Sequence, residues 1–237
     1  MDGFELQLQP EWDGDNPPLT DTQFADWTKT PKFTVAEILT ILQKQKLPIL
    51  SVHASRDIGS YLCSSRERDY EKGKRLIHEA LFLADNLGAK VCVFHLWDTW
   101  KTKFDIYKLK KDLLNIGAQF AEVKASVENI PTHLEEDTPL SLVKQFDHVT
   151  LDTKWASLYN ELNMFESIIS KVVNVHLRGT LRKGRWVLTS PHFGFYEALN
   201  LIRDRWQYSG LLTVEPEGKR DSSFFNSFVK AMQSLRT

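Results

Sequence analysis

The chain has only two cysteines in 237 residues, Cys63 and Cys92, and their spacing matches no metal-binding or disulfide framework. Both read as reduced thiols of a cytoplasmic protein. Charge of one sign is missing too: 30 Lys and Arg against 31 Asp and Glu give a net charge of −1, which excludes a general polyanion binder. No stretch approaches the roughly 18 apolar residues of a membrane span. The opening "MDGFELQLQP" carries no basic and apolar leader pattern. A glycine-rich phosphate-binding fingerprint is absent, which argues against a dinucleotide-binding sheet.

What remains is ordinary globular material, 42% apolar and 26% charged, enough for a sizeable core. Short apolar or β-branched runs alternate with segments of helical period. The strand candidates are "FELQL" (4–8), "PILSVHA" (48–54), "KVCVFHL" (90–96), "VKASVEN" (123–129), "HVTLD" (148–152), "KVVNVHL" (171–177) and "LLTVEP" (211–216). Most show no clean polar–apolar alternation, which favours strands covered on both sides. Helical period fills the connections. The segment 34–45 has Thr34 as a capping residue with a glutamate three positions on, and 70–88 stops at Gly88. No linker or composition break divides the chain, so residues 1–237 are expected to form one domain. The βα order predicts a parallel sheet with helices outside, closed as a barrel.

A second pattern lies at the strand ends. His53, His95, Glu128, Asp152, His176 and Glu215 close six consecutive strands. In a parallel barrel all these ends lie on one face. Three carboxylates and three imidazoles around one cavity call for a cation, and mixed oxygen and imidazole donors suit Mn²⁺, Zn²⁺, Co²⁺ or Mg²⁺.

At these residues the sequence resembles the xylose isomerase-like barrels, the group of the sugar phosphate isomerases and epimerases, inosose dehydratase, the tagatose epimerases and endonuclease IV. The matching motifs are "GAKVCVFH" (88–95), "VENIP" (127–131), "LDT" (151–153), "NVHLRG" (174–179) and "LTVEPEG" (212–218). The resemblance implies a TIM-type barrel in which one divalent ion is held by Glu128, Asp152, His176 and Glu215. It also implies that Glu128 and Glu215 serve as acid and base in proton transfer through an enediolate on a sugar or sugar acid. His53, His95, Trp155, Arg182 and His192 are the expected substrate contacts. Arg182 stands six residues beyond His176, where the ketose epimerases place an arginine, within the basic stretch "RGTLRKGRW" (178–186), read here as a loop. The aromatics Trp97 and Trp100 flank the expected mouth, while His78, His133 and His148 receive no role.

The chain departs from the family pattern in three places. Trp155 stands where the family commonly has histidine after the aspartate, and Ser190 stands where endonuclease IV has a ligand aspartate, while His192 is kept. Both changes argue against a three-metal nuclease of abasic DNA, the alternative enzyme reading. The usual first strand has no counterpart, leaving seven strands, with an irregular segment, 9–31, as a candidate plug. A degenerate barrel that binds without turnover is the third reading, and a homodimer stays open as an assembly. No membrane or nucleic-acid partner is expected.

Overall fold

The computed structural model describes residues 2–8, 33–188, 190, 192–217, 222–233 and 235. The expected plug at 9–31 lies outside them. Seven parallel strands, β1 (Phe4–Gln7), β2 (Ile49–His53), β3 (Val91–Phe94), β4 (Lys124–Glu128), β5 (Val149–Asp152), β6 (Val172–Arg182) and β8 (Leu211–Glu217), pair in chain order. They form a nearly closed TIM-type barrel. Among the described residues β1 and β8 share no ladder, so a seam runs between the first and last strands.

The helices form where local sequence signals predict them. Helix α1 (Val35–Gln45) starts at Thr34, whose hydroxyl accepts from the Glu37 backbone N–H while the Glu37 carboxylate accepts from the Thr34 N–H at 2.7 Å. Helices α2 (Asp57–Leu62) and α3 (Glu67–Asn86) follow β2, and Gly88 takes the left-handed conformation just past α3, at φ 70°. Helix α4 (Ile106–Gly117) is capped by Asp105, and α5 (Pro139–Val143) by Thr138. Helix α6 (Thr153–Leu158) and a 3₁₀ segment (Leu162–Lys171) follow β5, the chain turning between them through Asn160 at φ 56°. Helix α7 (Phe195–Asn200) runs on into a π turn (Leu201–Arg205), and α8 (Ser222–Gln233) closes the series. No described helix is long and apolar enough to cross a membrane.

Strand β6 is longer than expected. Beyond Leu177 it continues to Arg182, turns through Lys183 (φ 49°) and Gly184 (φ 77°), and returns antiparallel as β7 (Arg185–Val187). Positive φ at both turn residues is the geometry that matches strand twist in a two-residue hairpin. The basic stretch 178–186 is therefore a β-hairpin rather than a loop.

Register decides which side chains enter the barrel. Val52, Cys92, Phe94, Val127, Leu151 and Val175 are fully buried and belong to the apolar cluster between sheet and helices. The residues alternating with them face inward: Ser51 and His53, Ser126 and Glu128, Thr150 and Asp152, Asn174 and His176, Thr213 and Glu215. Each pair sets a small polar group one layer below a site residue. The small groups bond one another: Ser126 to Thr150 at 2.7 Å, and Thr213 to Asn174 at 3.0 Å. These side-chain pairs give the polar floor of the barrel hydrogen-bond partners within the protein.

Candidate active site

Strand ends are pinned before any chemistry is placed on them. Past Glu128, the Asn129 side chain accepts from the Asp152 N–H at 2.6 Å and donates to its carbonyl at 3.2 Å, extending the β4–β5 pairing by one side chain. Thr153 donates to the His176 carbonyl at 3.0 Å and accepts from the Arg178 N–H at 3.2 Å, tying β5 to β6. Asp152 caps α6, its Oδ1 accepting from the Lys154 and Trp155 N–H groups at 2.8 and 3.0 Å.

On this frame the strand-end residues converge. Glu128 is fully buried. Its Oε2 receives His95 Nε2 at 2.8 Å and His53 Nε2 at 3.1 Å. Its Oε1 points elsewhere, 3.6 Å from His176 Nδ1, which in turn lies 3.5 Å from Glu215 Oε1. Neither Glu128 Oε1 nor His176 Nδ1 has a hydrogen-bond partner, although both are buried. His53, Glu128 and His176 offer ligand atoms within 4.8 Å of one another, and so do Glu5, His176 and Glu215.

Two members of the cluster went unrecognised in the sequence. Glu5, from the middle of β1, reaches across the seam to His176 Nε2 at 3.2 Å and accepts from Ser51 at 2.7 Å and Asn174 at 3.1 Å. The spacing Glu5-x-Gln7, the same two-residue period as Ser51-x-His53, is the signal that could have found it. The other is Arg178. Its Nε donates to Asp152 Oδ2 and lies 3.0 Å from Glu215 Oε2, while Lys154 pairs with Glu217 at 2.6 Å.

The charge state follows from these contacts. Burial alone would make the Glu128 carboxyl a weaker acid, but His95 and His176 outweigh it and hold the group well below the usual range. Burial is likewise overridden at Glu5, where His176 brings the pKa down to about 2. Burial pushes Asp152 up to about 7; Arg178 pulls it back, and Glu128 and Glu215 push it further up. Burial lowers His95 to about 4 against the pull of Glu128. His53 and His176 go the other way, the surrounding carboxylates overcoming burial. The raised histidines and lowered glutamates stabilise one another's charged forms, while burial keeps Asp152 the most readily protonated carboxyl of the cluster.

The remaining expected site residues are dispersed. Trp155 is half-buried; its ring centroid lies 5.8 Å from the Arg178 guanidinium carbon and its buried indole N–H has no acceptor. Arg182 is exposed at the hairpin turn, four strand residues beyond Arg178, and His192 is exposed beside Ser190. Trp97 is buried, stacked on Phe104 at 6.3 Å, and its N–H bonds the Pro131 carbonyl; it is a packing residue. Trp100 is exposed and stacks on His133 at 5.2 Å. A cavity of about 920 Å³ lies along the seam, with Glu5, Gln7, Arg56, Arg178, Glu215 and Glu217 among its polar lining.

No protein-family model matches the sequence, and no curated protein is significantly similar to it. Solved structures do match. The 3-keto-D-glucoside 4-epimerase YcjR from E. coli, in its apo form, superposes with a TM-score of 0.59 at 11% identity, covering 98% of both chains. A D-tagatose 3-epimerase-like protein gives 0.59 at 17% identity over 98% of this chain and 89% of its own. A D-allulose 3-epimerase from Methylomonas sp. gives 0.61 at 14% identity over 99% and 86%. The chain shares the barrel fold of these solved structures, among them a xylose isomerase domain protein from Planctomyces limnophilus, which is the fold that the strand-end resemblance implied.

Proposed function

We propose, from the fold shared with the xylose isomerase-like sugar epimerases and isomerases, that this protein is a divalent-metal-dependent isomerase or epimerase of a sugar or sugar acid. The observation that carries the reading is the placement of His176 Nδ1, buried and without a hydrogen-bond partner, 3.6 Å from the equally orphaned Glu128 Oε1 and 3.5 Å from Glu215 Oε1. Such orphaned buried polar atoms fit a site for a cation, which would take the place of the proton on His176. Glu128, His176 and Glu215 would hold it, with Asp152 as the fourth ligand once freed from Arg178. Mn²⁺, Zn²⁺, Co²⁺ or Mg²⁺ suits this donor set. When bound, the ion would polarise a sugar carbonyl and make the neighbouring C–H more acidic.

The chain's own groups supply the rest. One glutamate takes the proton from the carbon beside the carbonyl, and the other returns a proton. Glu128 enters as a carboxylate, held so by His95 and His176. Glu215 has the more open side chain, 20% exposed against 0% for Glu128, and borders the seam cavity where substrate would enter. His53 and His95 orient Glu128. Trp155 forms an apolar wall beside Arg178, and Arg182 and His192, at the rim, meet parts of a substrate that extend out of the barrel.

The test is exchange of the α-proton with D₂O across a panel of ketoses, aldoses and sugar acids in the presence of Mn²⁺. Glu128→Gln and Glu215→Gln should each abolish exchange while preserving side-chain size. Exchange that survives both substitutions defeats the two-glutamate reaction. A second reading, binding without turnover, is favoured by one observation: Arg178 already pairs with two of the proposed ligands, Asp152 and Glu215.

A further inference from the structure

Arg178 lies two residues beyond His176 on β6, so its side chain enters the barrel on the same face, opposite Glu215 in the β6–β8 register. Its side chain is 11% exposed. Nε donates to Asp152 Oδ2 and stands 3.0 Å from Glu215 Oε2. Nη2 is 3.8 Å from Glu128 Oε1, and Nη1 is 3.8 Å from Glu217 Oε1. The Trp155 ring stands 5.8 Å from the guanidinium carbon. The other oxygen of Asp152 is occupied by the two capping N–H groups of α6. Asp152 therefore has no free oxygen facing the orphaned pair, and it belongs to neither of the two ligand groups with atoms in metal-binding reach.

We propose that Arg178 is a tethered cation that competes with a divalent ion for Asp152 and Glu215, and so sets the metal affinity of this site. The inference rests on the single-ion reading above. A guanidinium keeps its proton at any working pH, so it cannot yield by neutralisation; it yields only by swinging out. With Arg178 in place the ion would be held by His176 together with Glu128 and Glu215, which fall in separate ligand groups, and Glu215 would be shared with the arginine. With Arg178 displaced, Asp152 becomes the fourth ligand. A group that orients a ligand from outside the coordination shell commonly changes metal affinity by about 10–100-fold. Here the sign is reversed, because the orienting group holds the ligand away from the ion.

The experiment is Mn²⁺ binding to metal-free protein, read as free Mn²⁺ by electron paramagnetic resonance and as heat by calorimetry. Arg178→Met keeps the length of the stem and removes the charge; it should bind Mn²⁺ roughly tenfold tighter or more than wild type. Arg178→Lys retains a cation and should stay close to wild type. Asp152→Asn should change affinity little in the wild-type chain but weaken it strongly in the Arg178→Met background, because only there is Asp152 a ligand. Equal affinity of wild type and Arg178→Met overturns the proposal and leaves the single-ion reading standing. Binding by Arg178→Met alone supports the proposal and overturns metal use by the wild-type protein. Binding by neither overturns both. Where Arg178→Met fails to fold without metal, the readout is recovery of its circular dichroism with added Mn²⁺. Recovery at concentrations that leave wild type unchanged supports competition, and no recovery overturns it.

Discussion

His53 donates to Glu128 from Nε2 at 3.1 Å while its Nδ1 faces the Ala54 carbonyl at 2.9 Å. Both ring nitrogens therefore meet acceptors, and only the imidazolium satisfies both. This geometry agrees with the upward shift that Glu128 and Glu5 impose on His53 against burial. Removing one partner of a buried charged pair commonly costs about 3–5 kcal/mol. His53→Ala in metal-free protein should cost on the order of 3 kcal/mol by urea unfolding, and ¹⁵N chemical shifts of wild type should report both His53 nitrogens protonated at neutral pH. A neutral His53 tautomer would refute the assignment.

The hydroxyl pair beneath the site makes a different demand. Ser126 and Thr150 are fully buried and bond each other at 2.7 Å. Thr150→Val strands the Ser126 hydroxyl and should cost about 1–3 kcal/mol, as should Ser126→Ala for the Thr150 hydroxyl. The double variant loses both polar groups together and should be more stable than the sum of the single effects predicts. Additive losses in a thermal-unfolding cycle would show that the pair does not act as a unit.

Gly59 couples a helix to the site. A Cβ at this position of α2 would fall 2.2 Å from the Trp97 carbonyl oxygen and 3.0 Å from that of His95. Both obstacles are backbone atoms and cannot rotate away. Alanine's better helix propensity, about 1 kcal/mol, is outweighed by the clash. Gly59→Ala should lower the melting temperature and disturb His95, whose Nε2 bonds Glu128 at 2.8 Å. An unchanged melting temperature would mean that α2 and the 95–97 segment are not in contact in solution.

The pH dependence of stability can be checked away from the proposed metal ligands, at Glu161. This residue is buried and accepts from the Leu140 N–H at 3.2 Å, in the first turn of α5. Burial raises its pKa, against the pull of its bonds to Thr138 and Leu140. The native state thus keeps a proton that the unfolded chain has already released, so the group's contribution to stability is present below the unfolded pKa of about 4.5 and is lost as pH rises through the folded value. Glu161→Gln keeps an acceptor without the charge. It should be more stable than wild type at pH 7, with the difference shrinking as the medium is acidified. A difference that grows on acidification would reverse the sign.

Much of this arrangement was legible because parallel strands end on one face, so a residue type repeated at successive strand ends is a spatial statement. His53, His95, Glu128, Asp152, His176 and Glu215 were found that way. Glu5 was not, because it lies inside its strand, and only the register of Glu5 with Ser51 and of Gln7 with His53 turns it toward His176. The alternation Ser51-x-His53, Ser126-x-Glu128 and Asn174-x-His176 was present but inverted. Outside β3, where Val91 and Val93 take the inward positions, these strands turn polar residues inward and apolar ones toward the helices. Arg178 was read as part of a basic loop because β6 was expected to stop at Leu177. The Lys183-Gly184 turn keeps the strand going and so aims Arg178 into the barrel.

A barrel closed all the way round behaves as a hoop: no strand leaves without breaking ladders on both sides. The seam between β1 and β8 removes that property from the two strands that border it, and β1 is the shorter of them. Among the described residues, β1 is four residues long and laddered to β2 alone, and α1, which follows it in sequence, buries none of its residues. Its amides should therefore exchange with solvent through local opening, well before those of β4 or β5. Each such opening carries Glu5 away from His176, removing a buried anion from the imidazole while the other strand-end residues stay in register. The proton affinity of His176 is thus linked to the fraying of the sheet's outermost strand.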